Sequence, residues 1–128
     1  MALNIDGTTG ISGVDGSASA PALQGTDSNT GLSFGTDTIN MNTGGVIRAT
    51  IDSSGNLNPG ANNSYDLGAS GTRWKNIYTN DLNLSNEGSS NDVDGTWGSF
   101  TIQEGEDSLF LINKRNGKKY KFNLTEVS

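Results

Sequence analysis

Two alternating apolar runs flank a glycine pair in the stretch Thr38-Ile39-Asn40-Met41-Asn42-Thr43-Gly44-Gly45-Val46-Ile47-Arg48-Ala49-Thr50-Ile51. Successive side chains of a strand point to opposite faces, so Ile39 and Met41 share one face of the first run. The second run has two alternating sets, Val46, Arg48 and Thr50 or Ile47, Ala49 and Ile51. A Gly-Gly turn between alternating runs predicts a β-hairpin.

Further short strands are predicted on both sides of this hairpin, at Leu32–Phe34, Arg73–Tyr78, Asp81–Leu84, Trp97–Ile102, Leu109–Ile112 and Tyr120–Leu124. Residues 53–64 are almost entirely polar and predict a loop. Asn116-Gly117 predicts a type I′ hairpin turn with positive φ at both positions. No window has helical periodicity, so the predicted class is all-β, in two regions, residues 1–58 and a C-terminal β module at residues 59–128.

The chain is poor in the side chains that form a core. Only 31% of its residues are apolar and 7% aromatic, while 18 are glycine. A single copy would bury too little surface to offset an ordering entropy of roughly 1–2 kcal/mol per residue. The recurring apolar runs argue against disorder, so we expect an elongated, intertwined homotrimer in which three copies pool their hydrophobic faces and cover each other's strand edges.

The charge balance excludes several partners. A net charge of −6 disfavours a general nucleic-acid or anionic-membrane role, because both need a basic surface. No apolar run approaches the ~18 residues of a membrane span, so we expect no membrane insertion. Five of the eight cations lie at Lys114, Arg115, Lys118, Lys119 and Lys121. We interpret them as a solvated hairpin whose lysines discourage edge pairing; a tip that contacts a polyanion is the alternative.

Enzymatic and metal chemistry find little support in the residues. The chain has no His and no Cys, which excludes Ser-His-Asp and Cys-His catalysis and His or thiolate zinc sites. Glu104, Glu106 and Asp107 surround a turn glycine, so a solvated acidic loop is favoured over a glycosidase pair. Ser90–Gly95 departs from the register of a calcium loop and predicts a turn stabilised by Asp side chains. We therefore expect that the chain is not an enzyme and that it binds no cofactor and no metal.

One pair of segments resembles a known family. Tyr65-Asp66-Leu67-Gly68 followed by Arg73-Trp74-Lys75-Asn76-Ile77-Tyr78 resembles a segment recurrent in bacteriophage tail fibres and tailspikes. Residues 26–57 are similar to the repeat that often precedes it, and the matches together cover roughly residues 18–84. The Ser-Asp dyad and charged helical region of the self-cleaving branch do not follow Tyr78, so self-cleavage is not implied.

The resemblance implies a trimeric part of a virion, located on its tail or capsid surface and assembled in the host cytoplasm. We expect a short tail fibre or spike that docks on other virion proteins, with residues 1–20 as the docking segment, and attaches to a host glycan or protein. A capsid decoration protein or head spike is the alternative, and a polysaccharide depolymerase is a third. The candidate trimer-core residues are Leu67, Trp74, Ile77, Tyr78, Phe110 and Ile112. The candidate receptor or partner contacts are Trp97, Tyr120, Lys118 and Lys119.

Overall fold

The computed structural model describes residues 4–8 and 10–127, and the predicted docking segment at residues 1–20 lies partly outside them. The all-β prediction is confirmed: the described residues contain strands, turns and irregular segments and no helix. The chain divides into two units, Met1–Arg73 and Trp74–Ser128. The boundary expected near residue 58 falls inside a strand of the first unit.

The first unit contains a two-stranded hairpin and a five-stranded antiparallel sheet. Strands β1 (Asn4–Asp6) and β2 (Gly10–Ser12) pair with each other. The sheet has the order β3-β4-β5-β6-β7. Its strands are β3 (Leu23–Gln24), β4 (Gly31–Gly35), β5 (Thr38–Thr43), β6 (Val46–Ile51) and β7 (Leu57–Pro59). Each strand pairs with the next along the chain, so this sheet is a meander.

The hairpin predicted at residues 38–51 is confirmed. Gly44 and Gly45 form its two-residue turn with φ of 59° and 73°, the backbone that a type I′ turn requires and that glycine adopts without steric cost. The pairing shifts at a bulge, where Met41 opposes Ala49 but Asn42 opposes Ile47. Arg48 is the extra residue of this bulge, and the shift places Ala49 and Ile51 on the face of Met41.

One feature of the first unit differs from the prediction. The polar stretch at residues 53–64 contains a strand, because β7 pairs its backbone with β6. It is the edge strand of the sheet, where Pro59 costs no ladder hydrogen bond. Asn58, the polar residue of this strand, is exposed because an edge strand has no further neighbour to pack against.

The second unit contains a four-stranded antiparallel sheet with the order β11-β10-β9-β8. Its strands are β8 (Leu82–Ser85), β9 (Ser99–Glu104), β10 (Leu109–Asn113) and β11 (Lys119–Lys121). These strands confirm the runs predicted there. The strand predicted at Arg73–Tyr78 is wrong, since that segment has no regular secondary structure and no strand pairs with it.

The β10–β11 hairpin is confirmed, but its turn type was predicted wrongly. Gly117 has a φ of 73°, whereas Asn116 does not adopt positive φ. The loop has four residues, 114–117, and is closed by the Asn113 N–H, which donates to the Lys118 carbonyl at 2.9 Å. The Lys114 N–H donates to the Ser99 carbonyl at 2.8 Å, which holds the start of the loop against β9. A four-residue loop of this kind requires positive φ only where Gly117 lies.

Burial in both units is inverted relative to a globular core. Among residues 7, 8 and 13–127, whose side-chain burial the structure describes, Pro21 is the only buried aliphatic or aromatic side chain. The buried polar residues are Ser33, Asn42 and Thr101, each 2% exposed. Each sheet is therefore a single layer whose small polar residues fill the middle of one face while the larger apolar side chains remain open to solvent.

Candidate interaction surfaces

The five-stranded sheet presents one apolar face. Directly opposed residues of neighbouring strands place their side chains on the same face. One cross-strand row consists of Leu23, Leu32, Met41, Ala49 and Pro59, and a second of Phe34, Ile39, Ile51 and Leu57. We call these two rows the Met41 face. None of these side chains is buried, and Leu57 is 64% exposed.

The opposite face of this sheet is a network of amides and hydroxyls. The Asn42 Nδ2 donates to the Ser33 Oγ at 3.0 Å, and the Thr50 Oγ1 donates to the Asn40 Oδ1 at 2.8 Å. Asn42 also donates to the Gly31 carbonyl at 3.3 Å, while its buried Oδ1 has no partner. These cross-strand bonds satisfy most of the polar groups that the face encloses, which is the condition for burying them cheaply.

The four-stranded sheet repeats the arrangement. Its apolar face has a row of Leu82, Ile102, Leu111 and Tyr120, flanked by the pair Leu84 and Phe100. We call this surface the Leu111 face. Leu109 lies on it opposite Glu104, which is the one charged strand residue on this face. Leu82, Leu84 and Tyr120 are each nearly half exposed, and the others are partly exposed.

The opposite face of the second sheet contains another hydroxyl–amide pair. The Thr101 Oγ1 donates to the Asn83 Oδ1 at 2.7 Å, and Thr101 is buried. Phe110 and Ile112, two candidate trimer-core residues, lie on this face, with Ile112 between Thr101 and Lys119. They therefore share a face with polar and cationic side chains, and not with the apolar rows of the same sheet.

The other candidate trimer-core residues lie in the part of the chain that joins β7 to β8. Leu67, Trp74, Ile77 and Tyr78 are highly exposed, and Tyr78 is 92% exposed. Within the first unit, Leu67 helps to line a cavity of about 280 Å³ together with Leu57, Pro59 and Tyr65. The Arg48 guanidinium stacks over the Tyr65 ring at 5.3 Å and donates to its hydroxyl at 3.1 Å. We call Tyr65–Tyr78, which resembles the phage fibre segment, the family-like segment. Its first residue, Tyr65, is thus held beside the Met41 face by Arg48.

The four candidate receptor contacts do not form one site. Trp97 is covered by Arg115, whose guanidinium carbon lies 3.9 Å from the ring centroid and whose Nη1 donates to the Trp97 carbonyl at 2.8 Å. Lys119 and Tyr120 are consecutive in β11 and point to opposite faces of the sheet. Lys118 lies just before them, where its carbonyl closes the hairpin loop. The Leu111 face was missed as a candidate site, although the period-two spacing of its leucines is visible in the sequence.

Two aspartates organise loops by accepting hydrogen bonds. The Asn56 side-chain and backbone amides, followed by the Ser54 N–H and the Asn58 side chain, lower the pKa of Asp52. The Thr96 hydroxyl, the Asn91 side chain and the Thr96 N–H lower the pKa of Asp94. The predicted Asp-stabilised turn at Ser90–Gly95 is confirmed by this second network.

The described part of the chain gives no sign of a metal centre or a spanning helix. Across residues 4–8 and 10–127, no three His, Cys, Asp or Glu side chains are grouped so that they could hold a metal ion. Within the same ranges, no helix is long and apolar enough to cross a membrane. The chain matches no protein-family model, no curated protein and no solved structure.

Proposed function

We propose that this chain is a non-enzymatic structural subunit of a bacteriophage particle, which works as a homotrimer in a short tail fibre or spike. The observation that carries the proposal is the open apolar face of each sheet. Large exposed apolar patches mark surfaces where a protein, a membrane or a ligand binds, and the proposal assigns a protein to both faces. The likeness of residues 65–78 to a segment of phage fibres and spikes supplies the kind of particle.

The exposed area supports an obligate assembly. The chain exposes 10328 Å², whereas two separate compact domains of the sizes of its two units would together expose about 7,800 Å². The excess is about 2,500 Å² per copy. A closed trimer has one interface per copy, so burying this excess would place each interface among those of obligate oligomers, at roughly 2,000–5,000 Å².

The family-like segment supports the same reading. Trp74, Ile77 and Tyr78 have no strand partner and are mostly exposed. Large apolar side chains on an irregular segment acquire a defined environment when a neighbouring copy packs against them. In this proposal the segment is covered by other copies, and one end of the trimer docks on virion proteins while the other presents a β-rich tip to a host glycan or protein.

The oligomeric mass in solution tests the proposal. Light scattering after gel filtration is expected to give three times the 13.4 kDa chain mass, and to keep that value on dilution into the nanomolar range. A cooperative melt of a single copy, independent of concentration, would contradict it. Cryo-EM of intact particles then separates the tail fibre from a capsid decoration protein or head spike. A release assay on host capsule tests the depolymerase.

A further inference from the structure

We propose that copies of this chain contact one another through the Met41 face and the Leu111 face, and that the opposite face of each sheet points away from the interface. The inference rests on the proposed homotrimer and specifies which surfaces build it. It assigns the occupant of both faces as a second copy of this chain. It also places Phe110 and Ile112, expected in the trimer core, outside this interface.

Adjacent residues of β10 separate the two faces of the second sheet most clearly. Leu111 is flanked by Ile102 and Tyr120 across the neighbouring strands, so its surroundings are apolar. Ile112 is flanked by Thr101 and Lys119. Desolvating the first set costs little, while desolvating the second would remove a lysine from water without a partner of opposite charge in these rows.

The first sheet has the same asymmetry. The two rows of the Met41 face contain no charged residue and no amide. On the opposite face, the side-chain amides and hydroxyls already bond to each other, as in the pair of Asn40 and Thr50. That face satisfies all but one of its buried side-chain polar atoms within one copy, the exception being the Asn42 Oδ1, so the larger unfilled apolar surface is on the Met41 face.

The area argues for copies of the same chain as the occupant. Every copy carries both open faces, and the surface that each copy exposes beyond a compact pair of domains is about 2,500 Å². A closed symmetric ring of copies removes that excess from all of them with one repeated contact. The faces carry almost no charge, so neither repels a second copy of the same negatively charged chain at the point of contact.

Aspartate substitutions at paired positions test the assignment. Leu111→Asp and Ile51→Asp place a charge on the two proposed interface faces, and the matched controls Ile112→Asp and Ile47→Asp place the same charge on the opposite faces. We expect the first two variants to lose the threefold mass and the controls to retain it. Loss of the trimer in the controls, with retention in Leu111→Asp, would overturn the inference while leaving the homotrimer intact.

Cysteine labelling gives a readout that does not depend on a charged variant folding. The chain has no cysteine, so Leu84→Cys on the Leu111 face and Lys121→Cys on the opposite face are each the single thiol. Both side chains are exposed in one copy. In the assembled protein we expect maleimide to react at least tenfold more slowly at Leu84→Cys than at Lys121→Cys, with equal rates in denaturant.

The outcomes of labelling and mass separate the two proposals. Equal labelling rates in a protein of threefold mass would refute the face assignment and leave the homotrimer standing. A single-copy mass with fast labelling at both positions would refute the homotrimer itself. A single-copy mass with slow labelling at Leu84→Cys would mean that another part of the same chain covers the face, which would overturn both.

Discussion

Replacing Gly60 with alanine is expected to detach the edge strand β7 from its neighbour. The Gly60 N–H donates to the Arg48 carbonyl at 2.8 Å. A Cβ at this position would overlap the carbonyl oxygen of Ile47 and lie 3.3 Å from the carbonyl carbon of Arg48. Both obstacles are backbone atoms of β6, so no side chain can rotate away to make room. The end of β7 must therefore move outward.

The expected cost follows from the two interactions that the displacement affects. Losing one backbone hydrogen bond costs about 0.5–1.5 kcal/mol, and overpacking a close contact costs about 1–3 kcal/mol. Because the two costs share one movement, we expect a loss of about 2–3 kcal/mol in the free energy of unfolding. For a unit of this size that corresponds to a fall in Tm of roughly 10–20 °C.

Thermal unfolding followed by circular dichroism, at one fixed chain concentration, measures the effect. Gly25→Ala is the matched control, because a Cβ at Gly25 would meet nothing within 4 Å and the residue lies in the same unit. We expect that control to melt within about 2 °C of the unsubstituted chain. If Gly60→Ala melted as the control does, β7 would not lie against β6 in the way described here.

Substitutions at three further positions test the side-chain networks. Arg115→Ala should lower the free energy of unfolding by about 1–2 kcal/mol and change the fluorescence emission of Trp97. Arg115→Lys should recover only part of that stability, because an ammonium cannot stack on the ring as a guanidinium does. Thr101→Val should lower the free energy of unfolding in urea by about 1–2 kcal/mol, because the Asn83 Oδ1 loses the hydroxyl that donates to it. Thr101→Ser keeps a hydroxyl and should lower it less. Equal losses in the two variants would refute the role of the hydroxyl. The side-chain and backbone amides of its turn lower the pKa of Asp52 below 3.8, so its stabilising effect is full above that pH and is lost as the pH falls through the lower folded-state pKa. The stability difference between the unsubstituted chain and Asp52→Asn should therefore shrink on acidification, and a constant difference would contradict the network.

The parts of the fold that sequence alone predicted are those in which local turn chemistry and side-chain alternation agree. The hairpin around Gly44 and Gly45 has both signals. The strands β8, β9 and β10 were also predictable, because apolar residues recur there at a spacing of two, as in Leu82 and Leu84. In such segments the pattern of one strand is matched by a neighbour close in sequence, so local information is sufficient.

Prediction failed where the outcome depended on a partner that the local pattern does not identify. Arg73–Tyr78 alternates like a strand, but no neighbouring strand of the described residues pairs with it. Leu57–Pro59, within the stretch at residues 53–64 that was predicted as a loop, forms a strand because β6 supplies its ladder. Asn116-Gly117 was predicted as a two-residue turn, but the loop has four residues, with Lys114 bonded to Ser99 at the start of β9 and Arg115 bonded to Trp97 just before it.

The candidate interface exposes the same limit at the level of whole faces. Alternation in β10 places Leu111 and Ile112 on opposite faces of the sheet, because successive side chains of a strand point to opposite sides. Alternation does not indicate which of these two aliphatic side chains must be covered by a second layer of protein. That distinction comes from the strands on either side, where Leu111 meets Ile102 and Tyr120 while Ile112 meets Thr101 and Lys119. The register between strands, and not the order of residues along one strand, therefore determines which face a second copy can cover at low desolvation cost. The substitutions Leu111→Asp and Ile112→Asp measure how the two faces differ in their effect on assembly.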